Sequence, residues 1–220
     1  MTNLYFSDIT TWAPGLQSDS ELWQEWANDV IPINQSKEVP KLEYTDPLFR
    51  RRLSQITKMT VHVIHELIEK THIDKETKLV FISQRGEIAR TFSVTKTLIE
   101  ENMILPAGFS LSVFNTPISS ATLAFGLKGG YSVIYPSRGN FAYAFKAAAA
   151  PVLAGTEKQV IVVYADELVP EAYGDKWSAE NYPLAFAGIL SSDKKSNCIS
   201  FDDFSNVPES PMEFLKLILK

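Results

Sequence analysis

The run from Gly129 to Gly155 constrains the fold of this chain more than any other. The pair Gly129-Gly130 gives a tight turn, and Tyr131 to Tyr135 then reads as a short buried strand. Pro136, Ser137, Arg138 and Gly139 make a sharp elbow, and an alanine-rich helix follows from Asn140 to Gly155. A strand feeding a helix in this way calls for a layered α/β architecture. It is also where many α/β enzymes mount a nucleophile, because the positive end of the helix dipole favours developing negative charge. This elbow holds no cysteine. A reactive-site geometry without its reagent points to a non-catalytic subunit.

Apolar patterning on either side predicts strands alternating with helices. Leu4 to Ile9 reads as a first strand, stopped by the turn Trp12-Ala13-Pro14-Gly15. Ser18 or Asp19 offers the cap for a helix with Leu22, Trp23 and Trp26 on one face. Residues 31–47 hold Pro32, Pro40 and Pro47 and read as an ordered loop. From Pro47 to about Thr71, Leu53, Ile56, Val63, Ile64, Leu67 and Ile68 recur at helical spacing. Lys78 to Ser83 predicts a strand, Gln84 to Gly86 a turn, and Glu87 to about Glu101 a helix. A helical patch near Ser119–Phe125 precedes the elbow unit.

Gln159 to Tyr164 is the strongest strand signal, since Val160, Ile161, Val162 and Val163 are all β-branched and suit burial on both faces. Residues 168–182 read as an acidic, aromatic loop, Pro183–Ser191 and Ile199–Phe201 as later strands, and Pro211–Lys220 as a closing amphipathic helix. This alternation predicts a single domain over 1–220, with three α/β/α layers and a mostly parallel sheet.

Bulk properties exclude several classes. A net charge of −5 gives no electrostatic argument for nucleic acid or for an anionic membrane. The single cysteine, Cys198, permits no intrachain disulfide and no cysteine-based zinc site, which suits a reducing cytoplasm. The stretch Met1 to Asp8 lacks the basic start and apolar core of a signal peptide. No apolar run approaches the ~18 residues of a spanning helix, so no membrane insertion is expected. The three histidines, His62, His65 and His72, fall in one short region. No metal or cofactor is implied.

An ordered set of motifs resembles the N-terminal half of a β-ketoacyl synthase, a thiolase-like fold. The set runs through Asn115, then Phe125-Gly126-Leu127-Lys128-Gly129-Gly130, the strand and elbow, Gly155 closing the helix, and a buried strand ending in Ala165-Asp166-Glu167. Laid without gaps on the synthase pattern, Gly129 and Gly155 fall in register and the nucleophilic cysteine position lands on Arg138. More narrowly, Ser7-Asp8, Trp12 to Gly15, Arg50-Arg51-Arg52-Leu53-Ser54, Phe109 to Asn115 and Val163 to Glu167 resemble the short chain length factors of aryl polyene type II polyketide systems. That resemblance implies a half-thiolase domain with a mixed, mostly parallel five-stranded sheet.

The resemblance also implies a function. A guanidinium cannot lose its proton or attack a thioester, and the histidines of a synthase belong to a second half-domain beyond the end of this sequence. The implied role is a catalytically silent partner of a full-length ketosynthase, served with substrate by an acyl carrier protein through the complex. In the resembled fold the strand before the elbow lies at the sheet edge. Residues Tyr131, Ser132, Val133, Ile134, Tyr135 and Pro136 are therefore the expected interface. Phe114, Asn115, Phe141 and Phe145 are tunnel candidates, the last two if the elbow helix has the expected phase.

Other readings stand beside this one. Arg138 at a helix start is opposed by the dipole by about 0.3–1 kcal/mol; it either fills the vacated acyl site, pairs with an acidic partner group, or swings to solvent. Ser137 is the rival nucleophile of an independent acyl hydrolase or transferase, but Tyr135 to Gly139 lacks the first glycine of G-x-S-x-G and no base is near in sequence. A homodimeric acyl-binding scaffold is a third possibility. Cys198 has no visible activator, and His62 with His65 lacks a third metal ligand. Arg50 to Arg52 suits either an acidic carrier protein or an ordinary solvated helix start. Pro151 is expected to kink the elbow helix or end it early.

Overall fold

The apolar runs assemble into one six-stranded sheet in the computed structural model, which describes residues 3–18, 21–174, 181–195, 197–201 and 204–220. Its strands are β1 (Leu4–Trp12), β2 (Leu79–Ile82), β3 (Tyr131–Ile134), β4 (Gln159–Asp166), β5 (Leu184–Ser191) and β6 (Cys198–Phe201), in the order β3-β2-β4-β5-β1-β6. The sheet thus has six strands rather than the expected five. It is mixed, but only β3–β2 and β2–β4 are parallel. β4–β5, β5–β1 and β1–β6 run antiparallel, which corrects the expectation of a mostly parallel sheet. The physical reason is the connections: helices cross between β2, β3 and β4, whereas no α-helix is found among the described residues between β4 and β5, which pair directly.

Helices cover both faces. On one side α1 (Leu22–Ala27), α7 (Phe141–Ala148), α8 (Ala150–Leu153) and α9 (Pro211–Leu219) close a core built on Trp23, Trp26, Phe145, Phe186 and Phe214. On the other, α3 (Gln55–Thr71) and α6 (Thr116–Phe125) pack Ile56, Ile64, Leu67 and Ile118 against Phe81, Ile161 and Val163. Alternate residues of β4 therefore enter opposite cores, and seven of its eight residues are buried. That is the central, two-sided strand its β-branched run predicts.

Local departures have local causes. The helix expected over Pro47–Thr71 is two: Asp46 caps α2 (Pro47–Arg50) through Leu48 and Phe49, and Ser54 caps α3 afresh by accepting from Thr57 N–H. Ser18 does not cap α1, which starts after Glu21; the Ser18 hydroxyl lies 3.0 Å from His62 Nε2. Asp19 lies outside the described residues. The elbow helix breaks at Ala149 into α7 and α8, as Pro151 requires. Gly129 is the tight turn before β3: a Cβ there would stand 2.3 Å from the Glu76 carbonyl oxygen. β3 itself is not a buried strand. Tyr131 and Ser132 are exposed and Val133 and Ile134 only partly covered, because β3 has β2 on one side and, among the described residues, no strand on the other.

Candidate functional site

The elbow is a real turn at the end of the edge strand. Tyr135 is exposed and Pro136 buried; Ser137 and Arg138 then project from the surface. Asn140 N–H donates to the Ser137 carbonyl at 3.0 Å, and Gly139 makes the reversal at φ 77°, a conformation that favours glycine. α7 begins at Phe141. Its first free backbone N–H, a group that would otherwise face an anion, donates to the Glu209 carbonyl at 3.2 Å. The segment leading into α9 therefore caps the helix that carries the elbow.

Arg138 lines a cavity of about 180 Å³ with Arg85, Tyr164, Asp166, Glu209 and Glu213. Ligand sites usually run from about 300 Å³ upward, so this space is smaller than most of them. No histidine approaches Ser137. His62 and His65 ride on α3, on the face of the sheet opposite α7, where His65 stacks on Tyr44 with ring centroids 3.5 Å apart. Cys198 sits on the opposite edge strand, β6, and its thiol lies 3.0 Å from the Lys195 carbonyl oxygen. No metal-binding cluster occurs among the described residues, and no helix there is long and apolar enough to cross a membrane.

The structure brings some of the predicted residues together and separates others. Asn115 Nδ2 donates to the Tyr131 hydroxyl at 2.9 Å, and the Phe114 and Tyr135 rings lie 4.4 Å apart. These two tunnel candidates thus border the edge strand. Phe141 and Phe145 do not. Both face inward and are fully buried in the opposite core, with Phe214 at 5.1 and 4.7 Å. Their surface is taken up by this chain's own packing.

The sequence reading assigned no role to a set of buried acids at the strand ends. Asp166 accepts from Ser83 Oγ, from the Gln84 and Arg85 N–H groups and from the Tyr164 hydroxyl, so it shapes the turn after β2. Burial raises its pKa, with the Arg85 charge opposing. Glu167 accepts from the Ala89 and Ile56 N–H groups, at the starts of α4 (Ile88–Glu101) and α3. Burial first, and then the Glu87 charge, push Glu167 up to about 8. Glu87 accepts from the Ser54 and Thr57 hydroxyls and pairs with Arg90 at 3.1 Å. Together these groups clasp the first turns of α3 and α4 to the sheet. Acids at the end of the β-branched central strand, Asp166 and Glu167, were the available signal.

The family model for the N-terminal domain of β-ketoacyl synthases matches residues 23–213. Among solved structures, the chain is similar to one in the complex of the ketosynthase ApeO with its chain length factor ApeC from Xenorhabdus doucetiae. There the TM-score is 0.78 at 23% identity, covering 100% of this chain and 92% of that one. The ishigamide ketosynthase/chain length factor matches at TM-score 0.68 and 11% identity, covering 87% of this chain and 62% of that chain. A β-ketoacyl synthase from Burkholderia phymatum STM815 matches at 0.58 and 12%, covering 87% and 59%. This chain thus spans about three fifths of the length of those last two. No curated protein matches. The fold is the thiolase-like fold of ketosynthases, and the chain belongs to the β-ketoacyl synthase N-terminal domain family.

Proposed function

We propose that this chain is a non-catalytic chain length factor, a single half-thiolase unit that pairs with a full-length ketosynthase in type II polyketide synthesis. By resemblance the pathway is that of an aryl polyene pigment in the cytoplasm, and an acyl carrier protein delivers substrate to the complex. One observation carries the reading. The open edge of β3 leads straight into an elbow that has no thiol, no neighbouring histidine and a helix start already capped by Glu209. Such an edge templates pairing with another strand unless covered, and residues Tyr131 to Pro136 are its pairing surface.

In this reading the partner supplies the cysteine and the histidines, and this chain supplies a wall. Phe114 and Asn115, beside Tyr135 and Tyr131, shape the closed end of the acyl tunnel; Phe141 and Phe145 hold the elbow helix rigid behind them. The test is co-expression with a full-length ketosynthase from the same organism, followed by product mass analysis with acyl carrier protein and malonyl units. Expected are a heterodimer, products lost with the partner's cysteine, and products unchanged by Ser137→Ala in this chain. Phe114→Ala is expected to lengthen the products. Turnover of acyl thioesters by this chain alone, abolished by Ser137→Ala, refutes the reading, as does a monodisperse monomer with no affinity for the ketosynthase.

A further inference from the structure

Helix α4 has no buried residue over its fourteen positions. Its apolar side chains continue into α5 (Pro106–Ser110): Leu98 is 41%, Ile99 77%, Leu105 59% and Phe109 55% exposed. Amphipathic helices of this length ordinarily bury their apolar stripe, and patches of this kind mark interaction sites. The arm is not a loose end waiting to fold back on its own core. Glu167 holds the Ala89 N–H and Glu87 holds Arg90, whose Nη2 also donates to the Arg52 carbonyl at 2.7 Å. Its far end returns through Phe114 and Asn115 onto Tyr135 and Tyr131 of the β3 edge. The arm is thus fixed at its base and runs continuously into the pairing strand.

We infer that the α4–α5 arm is the larger part of the partner surface and is covered by the same ketosynthase that pairs with β3, an inference that rests on the function proposed above. The argument is one of size. A four-residue strand offers a contact only about 13 Å long. Stable specific interfaces bury about 800 Å² per partner. Strand pairing alone falls short, and the arm is the adjoining apolar surface that makes up the difference. Hot spots in such interfaces are buried large side chains near the centre; Ile99 and Phe109 are the anchors.

The experiment uses the full chain and a tagged full-length ketosynthase from the organism that makes it. Dissociation constants are measured for the parent, Ile99→Asp and Phe109→Asp, with hydrogen exchange of residues 88–110 and 131–134 in the free and bound states. Each substitution is expected to weaken binding at least about tenfold, while the free variants unfold near the parental midpoint because Ile99 and Phe109 are mostly exposed in the single chain. Exchange in both segments is expected to slow on binding. Parental affinity in both variants with residues 131–134 protected overturns the arm and leaves the chain a ketosynthase partner. No binding by the parent overturns both. Two copies of this chain closing over the arm in the ketosynthase's presence, seen by mass, overturn the ketosynthase as its occupant.

Discussion

Replacing Glu167 by glutamine is expected to abolish a pH dependence that the fold places on this one side chain. The carboxyl titrates near 4.5 in the unfolded chain and near 8 in the fold, because it is buried and faces the Glu87 charge. Below pH 4.5 both states hold the proton and the fold has the full benefit. Between 4.5 and 8 only the fold holds it, so stability falls as pH rises; above 8 the contribution is gone. The two values differ by about 3.5, which bounds the loss at roughly 4–5 kcal/mol, a large share of a domain's stability. Glutamine keeps an acceptor for Ala89 N–H but turns a donor toward Ile56 N–H, a constant cost of about 1 kcal/mol. The diagnostic quantity is therefore the slope.

Urea unfolding followed by tryptophan fluorescence reads it directly, since Trp12, Trp23 and Trp26 are buried. Plotted from pH 5 to 8.5, the stability of the parent minus that of Glu167→Gln should fall by a few kcal/mol. Asp166 is raised too, but it titrates in both proteins and cancels. A difference that stays flat within about 0.5 kcal/mol across that range refutes the claim that Glu167 keeps its proton. A difference that rises with pH refutes its sign.

Phe214→Ala should cost about 3–5 kcal/mol in the same assay, because that ring meets Phe6, Phe141, Phe145, Phe186 and Phe201 within 6 Å; a loss below 1 kcal/mol would show that α9 does not close that core. Gly129→Ala drives a Cβ into the Glu76 and Thr77 backbone, with an expected loss of about 1–3 kcal/mol, and an unchanged midpoint would contradict the observed turn.

Much of the architecture is legible in the sequence wherever one residue type has one physical consequence. Four β-branched residues in a row gave the central strand β4, Pro151 the break between α7 and α8, and the Gly129 turn the start of β3. Strand direction was not legible. Whether β5 lies parallel or antiparallel to β4 depends on a pairing between distant segments, and alternating strands and helices over-predict parallel sheets. The buried acids were missed because Glu87, Asp166 and Glu167 read as surface residues until hydroxyls and helix-start N–H groups are seen converging on them. β3 was read as buried for the opposite reason. Its side chains are apolar enough for a core, and among the described residues no second strand pairs with its outer edge.

The elbow shows how the two kinds of information meet. A cation at a helix start looked unfavourable because the dipole was the only field the sequence made visible. In the fold the first N–H of α7 is taken by the Glu209 carbonyl, and the carboxylates of Glu209, Glu213 and Asp166 share a cavity wall with Arg138. The setting of that turn combines three acidic side chains from distant parts of the chain with a second guanidinium, Arg85. It suits a guanidinium and disfavours a thiolate, since nearby negative charge raises a thiol's pKa. A thiol placed at this position would therefore meet acidic side chains where a nucleophile needs positive charge.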